Sequence, residues 1–220
     1  ARTHDLALYG EWLREFAANA VQKPFAVLGH SFGSLVVADS LAGGLAASRV
    51  ILVNPIASPA LEGPQGALTR LAVLYYRAAD ALPERQARVL LGHPAIVRMM
   101  SEVMAKTRDR ELRAWIHGQH DRYFSEFSDS TTLLQAFRAS VSHTVGEFAD
   151  GIAQPTLMIA GDRDDITPLA AQLALRNRLP DAQLRVISGV GHLVHYEAVD
   201  HAAGEIRDFL VATRAVGDRA

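Results

Sequence analysis

The 220-residue chain contains no cysteine. That absence excludes thiol nucleophiles, disulfide frameworks, thiolate zinc sites and iron–sulfur clusters together. Long apolar runs are also missing. The longest, such as Leu71–Tyr76 and Thr156–Ala160, fall far short of the ~20 residues that a bilayer span requires, so no membrane-crossing segment is expected. Nor does charge of one sign dominate: 22 Lys plus Arg stand against 24 Asp plus Glu, a net charge of −2. This leaves no basic footprint for a nucleic-acid partner. No apolar stretch follows the N-terminus, so a signal peptide is expected to be absent or already removed, and a cytoplasmic location is expected. What is present, 49% apolar and 21% charged residues with a mean hydropathy of +0.07, suits a packed core rather than disorder or a fibre. The length suits one domain, or one domain carrying an insertion.

Leu6, Tyr9, Trp12, Leu13 and Phe16 recur at helical spacing, and Gln22-Lys23-Pro24 closes that segment. Phe25–Leu28 then reads as a short buried strand, followed after a sharp turn by a helix from Gly33 to about Ala42, and Val50–Val53 reads as a second strand. Apolar runs without alternation suit parallel strands covered on both faces. Between Ser58 and Asp150 the pattern becomes purely helical, with candidates over Leu68–Leu82, Pro83–Leu91, Ala95–Lys106, Arg110–Phe127 and Thr132–Phe148. Pro64, Pro83 and Pro94 stand near helix starts. Alternation then resumes: strand Pro155–Ala160, helix Pro168–Leu179 with Thr167 as N-cap, strand Leu184–Ile187 and helix Glu197–Thr213. The expected architecture is an α/β fold with a mostly parallel sheet, interrupted by an all-helical insertion. Core residues fall in 1–57 and 151–220, and the insertion in 58–150.

The sharpest local feature is Gly29-His30-Ser31-Phe32-Gly33, between a strand and a helix. A serine on so tight a turn sits at strained backbone angles, and glycines two before and two after are expected to leave room for it. A serine hydroxyl needs a neighbouring base to remove its proton and an acid to orient that base. Candidates for both follow. Asp162, Asp164 and Asp165 lie in an acidic loop at the end of strand Pro155–Ala160, and His192 lies on a loop freed by Gly189 and Gly191 after the next strand. Catalytic groups of open α/β sheets collect at that end of the strands. The order Ser, Asp, His differs from the orders in the chymotrypsin and subtilisin folds.

GHSFG, PTLMIAGDRDDITP and GVGHLVHYEAVDHAAGEIRDFL resemble the three signature regions of the α/β-hydrolase superfamily, and the helical stretch between them is similar to its cap domains. The resemblance implies Ser31 as nucleophile, His192 as base and Asp164 as the acid, with the backbone N–H of Phe32 in the oxyanion hole. It implies no metal or organic cofactor. A serine at the elbow separates the chain from relatives with an aspartate there, such as haloalkane dehalogenases and epoxide hydrolases. Two departures stand out. Ser34 replaces a second glycine, a minor change. Only 28 residues precede Gly29, whereas the superfamily carries several strands and a His-Gly loop there that donates half of the oxyanion hole. The chain therefore resembles the C-terminal two-thirds or more of such an enzyme, N-terminally truncated, and is expected to be weak or inert alone. An unpaired sheet edge should favour association, or pairing with an N-terminal segment.

The implied activity is a serine hydrolase cleaving an ester or related carbonyl substrate of apolar character through an acyl-enzyme. A carbon–carbon bond hydrolase or a cofactor-free perhydrolase would use the same triad, and a non-catalytic binder of a small apolar ligand is the rival from another class. His117, His120 and Asp121 read as a solvated helix face, His195 and His201 as surface or supporting residues, and His30 as a packing residue pointing away from the nucleophile. Gly189-x-Gly191 lacks the third glycine and downstream acid of a dinucleotide site. Tyr75, Tyr76, Met99, Met100, Met104, Trp115, Phe124 and Phe127 are expected mostly in the core of the insertion, some lining an apolar pocket.

Overall fold

The computed structural model describes residues 2–59 and 66–217; Pro64 lies outside them. Helix α1 (Leu6–Ala20) leads into strand β1 (Ala26–His30), helix α2 (Phe32–Ala42) and strand β2 (Arg49–Val53). Five helices follow: α3 (Gly66–Asp80), α4 (Glu84–Leu91), α5 (Pro94–Met104), α6 (Arg110–Tyr123) and α7 (Ser130–Ser142). A 3-10 helix (Val145–Gly151) precedes β3 (Thr156–Gly161), α8 (Leu169–Arg178), β4 (Ala182–Ile187), α9 (Val194–Glu197) and α10 (Val199–Gly217). All four strands run parallel in the order β1-β2-β3-β4.

The unbroken apolar runs of β2 and β3 are explained by helices on both faces of this sheet, whereas β1, expected to be buried, alternates and leaves Leu28 exposed. Val50, Leu52 and Met158 pack with Leu35, Ala38 and Leu41 of α2 and Leu175 of α8, while Ile51, Val53, Leu157 and Ile159 pack with Ala202 and Phe209 of α10. Apart from the two alanines, each such side chain contributes about 1.5–3 kcal/mol on burial. Asp5 caps α1 by accepting from the Leu8 N–H at 2.9 Å. Helices α1 and α2 pack closely at Gly10, where a Cβ would lie 1.8 Å from Asp39 Oδ2.

Several local expectations are corrected. The helix expected over Thr132–Phe148 stops at Ser142, because Thr144 and Glu147 form a capping box that starts the 3-10 turn. Helix α2 begins at Phe32 rather than Gly33. Thr167 does not cap α8; Pro168 holds that position, with no side-chain bond, and the Thr167 hydroxyl turns to Asp164 instead. The last helix is two, α9 and α10. Within the insertion Met104 is buried, and Tyr75, Tyr76 and Phe127 pack around Ala79, Leu91 and Leu134. Met99, Trp115 and Phe124, expected inside, are about half exposed, at 52%, 49% and 44%.

Candidate active site

Three loops at the C-terminal ends of β1, β3 and β4 meet. Ser31 turns the chain from β1 into α2 with φ 51° and ψ −118°, a strained conformation for a residue with a Cβ. Neighbouring bonds hold it there. The Ser31 N–H donates to Val53 O at 3.1 Å, and its carbonyl accepts from the Ser34 N–H at 2.9 Å and the Ser34 hydroxyl at 2.5 Å. The flanking glycines are not equivalent. A Cβ at Gly29 would lie 2.4 Å from Gly33 O, but one at Gly33 would meet nothing within 4 Å. Only the first glycine is demanded by space.

His192 stands between the other two groups. Its Nε2 lies 2.9 Å from Ser31 Oγ and its Nδ1 2.8 Å from Asp164 Oδ2. With the carboxylate as acceptor, Nδ1 carries the proton and Nε2 is left to accept from the serine hydroxyl. Asp164 is buried and held on every side. Oδ1 accepts from the Ile166 and Thr167 N–H groups at 2.8 and 3.1 Å, and Oδ2 also accepts from the Thr167 hydroxyl at 2.5 Å. Burial opposes its charge, yet the bond from His192, with the donors of Thr167, holds the carboxyl below its ordinary value.

The rival acids lie elsewhere. Asp162 accepts from the Gly189 N–H at 2.7 Å and the Ser188 hydroxyl at 2.9 Å, which ties the β3 and β4 loops together. Asp165 forms an ion pair with Lys106 at 2.6 Å. Gly161 allows the histidine loop to approach β3, since a Cβ there would lie 2.3 Å from Val190 O. Phe32 is the first residue of α2, so its N–H precedes the intrahelical i to i−4 ladder.

Two residues around His192 escaped the sequence reading. His30 was expected to point away; instead its Nε2 donates to the His192 carbonyl at 2.9 Å. Burial and the adjacent His192 lower its pKa to about 4, so the ring is neutral at pH 7. Asn54, at φ 42°, donates through Nδ2 to the same carbonyl at 2.9 Å and to Gly191 O at 3.2 Å, while its Oδ1 accepts from the Gly161 N–H at 3.0 Å. The sequence offered a signal for Asn54: an asparagine directly after an apolar strand tolerates left-handed backbone and offers both a donor and an acceptor.

The histidines of the insertion also differ from expectation. His117 and His120 are buried, and both Nδ1 atoms lie on the Ser101 hydroxyl, at 2.5 and 2.7 Å. They join α5 to α6 and are not a solvated face. His195 is exposed and packs edge-on against His30, and His201 lies exposed near Glu205. Among the described residues no group of three or more His, Asp or Glu is arranged to hold a metal ion, and no helix is long and apolar enough to cross a membrane.

The pattern of the "Alpha/beta hydrolase family" matches residues 1–206, and the chain belongs to that family. A pimeloyl-[acyl-carrier protein] methyl ester esterase of Xanthomonas campestris pv. campestris (strain B100) is 30% identical over 108 residues, covering 49% of this chain and 40% of that protein. The match thus spans about two-fifths of that relative's length. The fold is similar to a bromoperoxidase from Bacillus anthracis, with a TM-score of 0.74 and 15% identity over 95% of this chain and 75% of that one. It is also similar to an esterase from Exiguobacterium antarcticum, with a TM-score of 0.70 and 17% identity over 96% and 74%.

Proposed function

We infer that the protein is a serine hydrolase that cleaves an ester or related carbonyl substrate through an acyl-enzyme. One observation carries this reading: the Ser31 hydroxyl, the His192 imidazole and the Asp164 carboxylate stand in line at 2.9 and 2.8 Å. His192 takes the Ser31 proton as Oγ attacks the carbonyl carbon, and later delivers it to the leaving group. Asp164 stabilises the imidazolium formed between those steps and keeps Nδ1 protonated. The Phe32 N–H is the donor that the elbow offers to the tetrahedral oxyanion, and one such donor is typically worth about 10²–10³ in turnover.

The esterase name of the Xanthomonas relative favours an ester over other carbonyls. An apolar acyl group suits the rings that lead from the helical insertion to the triad. Trp115 stands edge-on to Tyr196, Tyr196 neighbours His195, and His195 packs on His30. In this reading the insertion acts as a cap.

A fluorophosphonate probe tests the proposal together with hydrolysis of 4-nitrophenyl acetate. The expected result is labelling at Ser31 with at most weak hydrolysis by this chain, and loss of both in Ser31→Ala. An unlabelled chain whose Ser31→Ala variant behaves as the parent does would end the case for catalysis.

A further inference from the structure

The loop between α5 and α6 is seated directly on the loop that carries His192. Glu197, in the short helix α9, makes the joint. Its Oε1 accepts from the backbone N–H groups of Lys106 and Thr107 at 2.5 and 2.6 Å, and its Oε2 accepts from the Gly191 N–H at 2.8 Å. A single carboxylate thus takes three backbone donors from two segments more than eighty residues apart, and bonds of this kind are about twice as strong as neutral ones.

Two further features keep the two loops together, close approach at Gly191 and a shared apolar cluster. At Gly191 a Cβ would lie 2.5 Å from Lys106 Cγ and 2.9 Å from Met104 O, so the contact leaves no room for a side chain. Met104, Ala105 and Ile116 form a buried cluster with Leu193, packed by Tyr196. The Lys106 ammonium also reaches Asp165, next to the acid of the triad. From the far side, Arg113 Nη1 donates to the carbonyls of Ala105 and Thr107 at 3.1 and 3.2 Å. The α5–α6 loop therefore has partners for its N–H groups on one side and for its carbonyls on the other. Gly191 is the residue before His192, so displacement of this loop is passed to the base through one peptide unit.

We propose that Glu197 is a positioning residue that couples the seating of the helical insertion to the alignment of His192. The inference rests on His192 acting as the base. A group that shifts the α5–α6 loop then alters the reactivity of Ser31 without touching the triad.

Three variants of the whole chain test this through 4-nitrophenyl acetate kinetics and fluorophosphonate labelling. Glu197→Gln keeps the shape, loses the charge and sets an amide NH₂ against an N–H donor. It is expected to lower kcat and the labelling rate about ten- to a hundredfold, the usual cost of sub-ångström to ångström misplacement, with KM within about threefold. Lys106→Met removes only the ion pair to Asp165 and is expected to stay within about threefold of the parent, because the backbone bonds to Glu197 remain. Arg113→Met loosens the loop without touching residues 189–193. Faster hydrogen exchange at the Lys106 and Thr107 amides is expected there, with a fall in kcat in the same direction.

Labelling of Glu197→Gln at the parental rate would overturn the coupling, as would faster exchange in Arg113→Met with unchanged kcat. A loss in Lys106→Met as large as that in Glu197→Gln would also overturn it, by assigning the effect to the ion pair. If the parent chain itself is not labelled, the failure lies with the hydrolase reading instead.

Discussion

At the scale of single residues, His30 shows how a side chain beside Ser31 can hold His192 instead. Its Nε2–H and the Asn54 amide share the His192 carbonyl, so the elbow grips the histidine at the imidazole through Ser31 and at the backbone through His30. His30→Phe fills the space without donating and is expected to lower kcat about tenfold by loosening that alignment. His30→Gln, which can donate, should recover most of the loss in steady-state kinetics. The same residue carries a pH dependence. Its pKa in the fold is about 4, below the ordinary 6.5, so between these values the unfolded chain binds the proton that the native state refuses. Stability is therefore full above about pH 6.5 and falls as the pH drops toward 4, by on the order of 3 kcal/mol once the drop is complete. Thermal melts from pH 7 to 4 should show a shallower decline in His30→Gln than in the parent; equal slopes would refute the assignment. That Ser31 and His192 would meet an acidic loop was legible because each sits in a spaced motif after a strand; Asp164 was singled out from Asp162 and Asp165 only by the family resemblance. The orientation of His30 was not legible, since nothing in a linear sequence states which way the ring before the nucleophile turns.

At the scale of elements, the elbow separates a motif from its mechanical need. Gly29 is required because α2 passes 2.4 Å from where its Cβ would stand, whereas Gly33 opens on free space. Gly29→Ala is expected to cost about 1–3 kcal/mol through overpacking. Gly33→Ala, inside the first turn of α2, should be neutral or stabilising by up to about 1 kcal/mol through helix propensity. Urea midpoints of the two variants decide between this and a symmetric requirement for both glycines. Strand and helix order was readable from apolar runs and periodicity, and so was the position of each acidic and histidine loop. The missed break after α7 had a signal, Thr144-Val145-Gly146-Glu147, whose ends form the reciprocal capping box. His117 and His120 were misplaced for a different reason. Polar residues three apart on a helix mark an outer face unless another helix brings a buried partner, and Ser101 of α5 is that partner. Tertiary packing of this kind leaves no local trace.

At the scale of the molecule, the sheet is unevenly protected. Its two central strands, β2 and β3, are buried almost throughout, and at the β4 side Arg185 is bridged to Glu205 of α10. At the other edge β1 pairs with β2 alone among the described residues. Leu28 shares a face with its register partner Ile51, yet Ile51 is 2% exposed and Leu28 is 51% exposed. The α10 cluster that covers Ile51 does not include Leu28. An open parallel strand with an uncovered leucine has free backbone donors and acceptors as well as apolar surface, the combination by which edges recruit another strand. Association of the isolated chain through β1 is the expected consequence. Sedimentation should show species heavier than the 23.8 kDa monomer at micromolar concentration, and Leu28→Lys should shift the distribution toward the monomer, because a lysine on an edge strand disfavours pairing. Leu71→Lys, in α3 on the insertion and 62% exposed, removes a comparable apolar side chain far from the edge in sequence and should leave the distribution as it is. Equal effects of the two substitutions would mean that general surface hydrophobicity, and not the β1 edge, drives the association.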